Sequence, residues 1–322
     1  EHFNDLVIST YGRGFWILDD LTPIQQMNQT VRDSSAHLFP PHATYRFRPS
    51  VVPVTMSEDP SAGQNPPYGA AISYYLKSVP TGDVRIRIED AKGQVIRTLN
   101  GTKNVGLNRV TWNLEGEPTT EVRLRTSPAY APEIKLGPDG TRNAPGTGRL
   151  SILMPPGTYT VKLSAGGQEL SQPLVVKKDP NSGGTEADIA AQTAMMMELR
   201  HDVETGSRMV NQIESIRAQL LKLDSASLKS AAEELDKKLI EIEDELIQRK
   251  LTGQGQDTTR WPPKLLSKMN YLAGGLASGD FGPTKQQGEV HALFKQQLSA
   301  LQKRLDDVLS KDLPAFKGVI KP

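Results

Sequence analysis

Cysteine is absent from the 322-residue sequence. That excludes disulfide frameworks, cysteine-bearing zinc sites and thiol nucleophiles. It leaves the compartment open, because bacterial cytosol and bacterial envelope both suit a cysteine-free chain. Aromatic residues make up only 6%, too few for a base-stacking platform. An excess of one charge is also lacking: 38 Lys and Arg against 37 Asp and Glu give a net charge of +1. That balance gives no reason to expect nucleic acid or an acidic membrane surface as partner. No apolar run approaches the ~18 residues that a membrane span needs. The first residue is Glu1 and no signal-peptide pattern is visible. The sequence is therefore expected to start inside a longer protein or after a processing site.

What is present changes character near residue 184. Before it the chain is rich in Pro, Gly, Thr and Val; after it come runs of Ala, Leu, Glu, Lys and Gln. Strands followed by helices predict separate domains in an α+β, multidomain chain. The opening DLVISTYGRGFWILDD (5–20) reads as strands over 6–10 and 15–18, joined tightly through Gly12 and Gly14. A strand pair alone is marginal in water and is expected to belong to a larger sheet. Residues 36–66 read as a Pro-rich linker, with Thr44–Arg48 as a short strand. From 67 to 180 about seven short strands with turn signals predict an antiparallel sandwich. Asp90-Ala91-Lys92-Gly93 and Asn100-Gly101 are two of those turns.

Asp179–Gly184 reads as a linker and Thr185 as a helix N-cap. Ile189, Met196, Val203 and Val210 step by heptads, as do Leu228, Leu235 and Ile242. Helices over 264–278 and 284–310 follow, so 185–322 reads as an antiparallel helical bundle. An intermolecular coiled coil, giving an oligomer through the helices, is the other use of such seams. Short loops, Gly206 and Arg217 on the seam favour the internal bundle. Met195–Met197 read as core, and Gly274-Gly275 as a helix break or a close approach.

DLVISTYGRGFWILDD resembles the last strands of bacterial exported proteins with glycosyl-hydrolase-like, sortilin-type or Asp-box (BNR-repeat) β-propellers. The later pieces LFPPHATYRF, NPPYGAAISYYL, VRIRIEDAKGQVIRTL, GLNRVTWNL, PPGTYTVKL, WPPKLLSKMNYLAGGLASGD and DLPAF are similar to the same proteins in the same order, so the resemblance spans essentially the whole chain. Residues 84–163 also resemble the Ig-like fold of flagellar hook-capping proteins. The resemblance implies an exported bacterial protein with an N-terminal propeller. On it, 1–35 are the last propeller strands, 67–180 an Ig-like sandwich and 185–322 a helical bundle. The Asp-box pattern itself is half met: Ser9 and Trp16 have its spacing, but Tyr11 and Arg13 stand at its Asp and Gly positions.

Chemistry-bearing constellations are few. A glycosidase needs two carboxyl groups about 5–10 Å apart. Asp19-Asp20 and Glu115/Glu117 are the nearest candidates, but neighbours on a strand point to opposite faces, and Asp20 can instead end the strand. His2, His37, His42, His201 and His291 form no H-E-x-x-H pair and read as exposed or cap residues. No catalytic, metal or cofactor site is assigned. Arg85, Arg87, Arg109, Arg123 and Arg125 make either a basic binding face or an ordinary solvated strand face. Trp112 is either core or a sugar-stacking platform, which burial distinguishes. Trp16, Trp112, Arg85 and Arg87 are thus the candidate binding residues, for a glycan or peptide. The hairpin strands are expected to leave an unpaired edge within this chain.

Overall fold

The computed structural model describes residues 4–48, 66–223 and 226–320. His2 and Asn65 lie outside them. In chain order the elements are β1 (Leu6–Ser9), β2 (Phe15–Leu18), α1 (Thr22–Gln25), α2 (Gln29–Asp33), β3 (Ala36–Leu38), β4 (Thr44–Arg46), β5 (Ala70–Leu76), β6 (Arg85–Glu89), β7 (Val95–Asn100), β8 (Gly106–Trp112), β9 (Arg123–Leu124), β10 (Arg142–Asn143), β11 (Gly157–Ala165) and β12 (Gln168–Lys178), then α3 (Glu186–Leu220), α4 (Ala226–Leu246), α5 (Asp257–Arg260), α6 (Leu265–Leu276), α7 (Lys285–Asp307), a π-helical turn (Val308–Asp312) and α8 (Leu313–Ile320). The chain is mixed α+β, with several antiparallel sheets and a C-terminal helix bundle. It divides into two compact units: Glu1–Glu117 with Leu153–Ser182, and Pro118–Ile152 with Gly183–Pro322. The division differs from the single span 67–180 read from the sequence, because residues 118–152 group with the helices.

In the first unit a five-stranded sheet runs β4-β12-β11-β6-β7 and a three-stranded sheet runs β3-β5-β8. All neighbours are antiparallel except β12 and β4. The period-2 pattern explains the layering. Ile86 and Ile88 on β6, and Tyr159, Val161 and Leu163 on β11, turn inward to meet Ile72, Tyr74, Leu76 and Trp112 from β5 and β8. The Trp112 ring lies edge-on to Tyr159, with centroids 5.3 Å apart. Its indole N–H donates to the Glu115 carbonyl at 2.8 Å, so the one polar atom of a fully buried ring is satisfied. The Asp90–Gly93 turn forms as expected: the Asp90 carboxylate accepts from the Lys92 and Gln94 amides, and Gly93 has φ +76°.

Asn100-Gly101 is not a turn. The Gly101 N–H bonds the Val84 carbonyl at 2.8 Å, which continues the pairing of β7 with β6. Its glycine serves close packing, since a Cβ there would sit 2.5 Å from the Val84 side chain and 2.7 Å from the Tyr74 hydroxyl. β3 lies inside the stretch expected to be linker.

In the second unit, Thr185 and Asp188 close a capping box at the start of α3, and Thr284 and Gln287 do so for α7. The heptad residues Met196, Val203, Val210, Leu235 and Ile242 are core, as the seam predicts. Gly206 lets α3 approach α6, because a Cβ would meet Leu266 at 2.5 Å. Gly274 and Gly275 do not break α6, which runs on to Leu276. Residues 118–152 form a strap along α3. Glu204, Asn211 and Glu214, spaced by helical turns, accept the backbone amides of Thr120, Arg123, and Arg125 with Thr126. Val122, Leu124 and Ile152 of the strap enter the helical core. Polar side chains thus satisfy an extended backbone whose pairing among the described residues is limited to the short β9-β10 pair.

Replacing Trp112 by Ala empties the centre of the two-sheet core and removes the indole hydrogen bond to the Glu115 carbonyl. The expected loss is about 3–5 kcal/mol, read as a lower denaturant midpoint for the first unit, with Trp112→Phe costing less.

Candidate interaction site

β1 and β2 pair only with each other among the described residues, in the register Leu6↔Leu18, Val7↔Ile17, Ile8↔Trp16 and Ser9↔Phe15. Residues opposite one another share a face. Leu6, Ile8, Trp16 and Leu18 therefore form one face, and Val7, Ile17 and Phe15 with Ser9 form the other. Both faces are apolar and both are exposed; Phe15 is 78% and Trp16 65% accessible. A strand with one wet face alternates polar and apolar residues, whereas a strand covered on both faces reads as a continuous apolar run. LVIS and FWIL are of the second kind. Among the described residues the outer edge of each strand is also unpaired. The tip is tight: Thr10 donates twice to the Gly14 carbonyl, and Gly12 and Gly14 both have φ +78°.

The base of the hairpin is fastened. Asn4 and Asp20 both take left-handed backbone, at φ +56° and +53°. The Asp20 amide donates to the Asp5 carboxylate at 2.9 Å and the Leu21 amide to the Asn4 carbonyl at 2.8 Å. Arg109, from β8, spreads its guanidinium over the Asp19 and Asp20 carbonyls, both at 3.1 Å. The Asp20 carboxylate accepts from the Thr22 amide at 3.1 Å and lies 3.1 Å from His42 Nε2, which also meets the Thr22 hydroxyl at 2.5 Å. Asp20 therefore ends a strand and starts α1, the role weighed against a catalytic one.

The other sequence candidates do not converge. Trp112 is fully buried, so it is core and offers no sugar platform. Arg87 is bound by Glu169 and lies 3.9 Å from Glu89; Arg85 pairs with Asp83 at 3.4 Å. Arg109 anchors the hairpin, while Arg123 and Arg125 belong to the second unit. Within the first unit Arg85 and Arg87 on β6 and Arg109 on β8 stand on different sheets, and strand charges neutralised by neighbours account for Arg85 and Arg87. Glu115 accepts from Asn113 at 2.9 Å, and Glu117 lies 3.9 Å from Arg97. Burial pulls the His37 imidazole below its ordinary value.

One feature of the second unit escaped the sequence reading. A groove of about 620 Å³ runs between α3 and α7, lined by Met197, Glu198, His201, Asp202, Lys295 and Leu298 among others. At its side His291 is buried, not exposed as expected, and meets Asp202 at 2.8 Å. Glu198 and Lys295 pair across it at 2.9 Å. Their hydrogen bond holds the Glu198 carboxyl below, and the Lys295 amine above, its ordinary value. Each charge there already has its opposite. The helical spacings 198/202 and 291/295 were legible, but which two helices would face each other was not. Among the described residues no three His, Asp or Glu side chains are grouped to hold a metal ion.

Compared with known proteins, the chain matches no protein-family model and no curated protein. The hairpin is therefore interpreted from its own chemistry.

Arg109→Ala removes both donors at the hairpin base. A charged hydrogen-bond donor of this kind contributes about 1.5–3 kcal/mol. Hydrogen exchange at the Asp20 and Leu21 amides is expected to accelerate at least about tenfold, while amides of β11 stay unchanged.

Proposed function

We propose that this chain is the non-catalytic C-terminal region of an exported bacterial β-propeller protein. In this reading Leu6–Leu18 completes a propeller blade, the first unit is an Ig-like sandwich, and the helical unit supports the assembly or its contacts. The single observation that carries the reading is the hairpin: apolar on both faces, unpaired on both outer edges, yet fastened at its base. Blade strands of a propeller lie in sheets stacked face to face around an axis, and need that two-faced composition. Hydrolytic activity, on a glycan or another polymer, then belongs to the propeller. The resemblance of DLVISTYGRGFWILDD to closing propeller strands supports the same assignment.

A carbohydrate- or peptide-binding module is the second reading. The exposed Trp16 ring favours it, since an accessible aromatic face stacks on a sugar or a peptide. The two readings differ in what the ring does: blade packing buries it permanently, whereas ligand binding buries it only on demand.

The test is a pair of variants in the full-length protein, Trp16→Ser and Ile17→Ser, one for each face. Blade completion predicts that each lowers stability by about 2–4 kcal/mol, with faster proteolysis of the propeller. Unchanged stability of the full-length protein overturns it. Binding of a glycan or peptide by the present chain, lost in Trp16→Ser alone, establishes the module instead.

A further inference from the structure

The helical unit buries a compact set of charges. Arg217 of α3 is almost fully buried, and its Nη1 donates to Glu214 of the same helix at 2.9 Å and to Glu243 of α4 at 2.8 Å. Its Nε donates to Asp236 at 2.8 Å. Arg249, just beyond α4, approaches Glu243 at 3.3 Å. From the strap, Thr126 donates to Glu214 through both its amide and its hydroxyl, and the Arg125 amide donates to it as well. Arg142 of β10 donates to the Thr126 carbonyl at 2.8 Å and lies in the field of both glutamates. Glu214 thus binds the strap on one side and Arg217 on the other.

Glu243 does not fit this scheme as a simple carboxylate. It is 0% exposed, and its Oε1 has no hydrogen-bond donor among the described residues. A buried carboxylate oxygen without a donor is costly. The acceptor at hand is the Glu214 carboxyl, which meets the same Arg217 Nη1 that Glu243 does, at 2.9 and 2.8 Å. Two carboxylates at such a site do not both ionise freely. If Glu243 carries a proton, it becomes a donor to Glu214 and the unmatched oxygen disappears.

We propose that Glu243 and Glu214 share one proton, and that this proton locks a pH-sensitive clasp holding the 118–152 strap to α3 and α4. The charged groups facing Glu243 are Glu214 and Arg217 from α3, Arg249 beyond α4, Arg142 from the strap, and Asp236 on its own helix through Arg217. Burial first, then the Glu214 charge, push the Glu243 carboxyl up to about 8 against the pull of Arg217 and Arg249. Burial pushes Glu214 up too, but the hydrogen bonds from Glu243 and the strap outweigh it and bring Glu214 below its ordinary value. The two carboxyls are displaced in opposite directions, as sharing requires.

The sign follows from linkage. Glu243 is raised in the closed clasp relative to its ordinary 4.5. Its contribution is therefore complete below about 4.5 and is lost as pH rises toward about 8. Over that window the opening equilibrium rises by up to about tenfold per pH unit, and then levels off. Opening the strap would bare Val122, Leu124 and Ile152 and the helical core beneath them.

Two measurements on the full chain test this. Infrared spectra of protein labelled with carboxyl-¹³C glutamate should show a protonated carboxyl that persists well above pH 6 and titrates near 8. Exchange at the Arg125 and Thr126 amides, corrected for intrinsic rates, should lose protection with rising pH in the native chain. Glu243→Gln keeps the donor but has no proton to lose, so in it that dependence should vanish. A protonated-glutamate band absent at pH 6 overturns the proposal, as does an identical pH dependence in the variant. Should the variant not fold, the infrared titration of the native chain decides alone.

Discussion

Withdrawal of apolar faces from water is the constraint on which the whole chain turns. In the first unit each sheet supplies the cover for the other, and Trp112 with Tyr159 fills the space between them. In the second, α3 is covered by α4, α6 and α7 along its length, and the strap contributes Val122, Leu124 and Ile152. Leu6–Leu18 is where the constraint is unmet. Seven exposed apolar side chains stand on a two-stranded ribbon that no other sheet joins among the described residues. A free hairpin of this length gains too little to hold itself together, so its fastening at Arg109, Asp20 and His42 is the local structure that keeps it in place.

Polar groups define how these layers are registered. Apart from the short β9-β10 pair the strap is extended chain, and its amides at Thr120, Arg123 and Thr126 are satisfied by carboxylates and an amide side chain that recur along one stripe of α3. A buried ion cluster seldom adds net stability over an apolar equivalent, because desolvation offsets the attraction. What the cluster around Arg217 supplies is position: slipping α4 or the strap by one turn leaves a charge buried without its opposite.

Element type was legible wherever a period ran long enough. The alternation in β6 and β11, the heptads of α3 and α4, and the capping residues Thr185 and Thr284 fall where the sequence indicates. The failures share a cause. Asn100-Gly101 has turn composition, yet the glycine is demanded by a neighbouring strand, which local pattern does not show. The strap has the Pro-rich composition of a loop, and its partner is a helix some 80 residues later, known only through Glu204–Thr120 and Glu214–Thr126. The same limit hid His291, whose partner Asp202 lies on another helix. Arg85 and Arg87 looked like a basic surface because their countercharges come from other strands or turns. The hairpin was the converse case: two short strands joined through Gly12 and Gly14 are a local property, and the pair forms as read, though among the described residues no further strand joins it.

The left-handed residues Asn4 and Asp20, with Arg109 on the Asp19 and Asp20 carbonyls, also fix the direction in which the hairpin leaves the two-sheet unit. A partner that covered it would meet an arm already aimed, with little orientational freedom left to lose on contact. A weak strand-to-strand contact can then hold a large body at a set angle, much as a keyed shaft transmits torque without a broad joint.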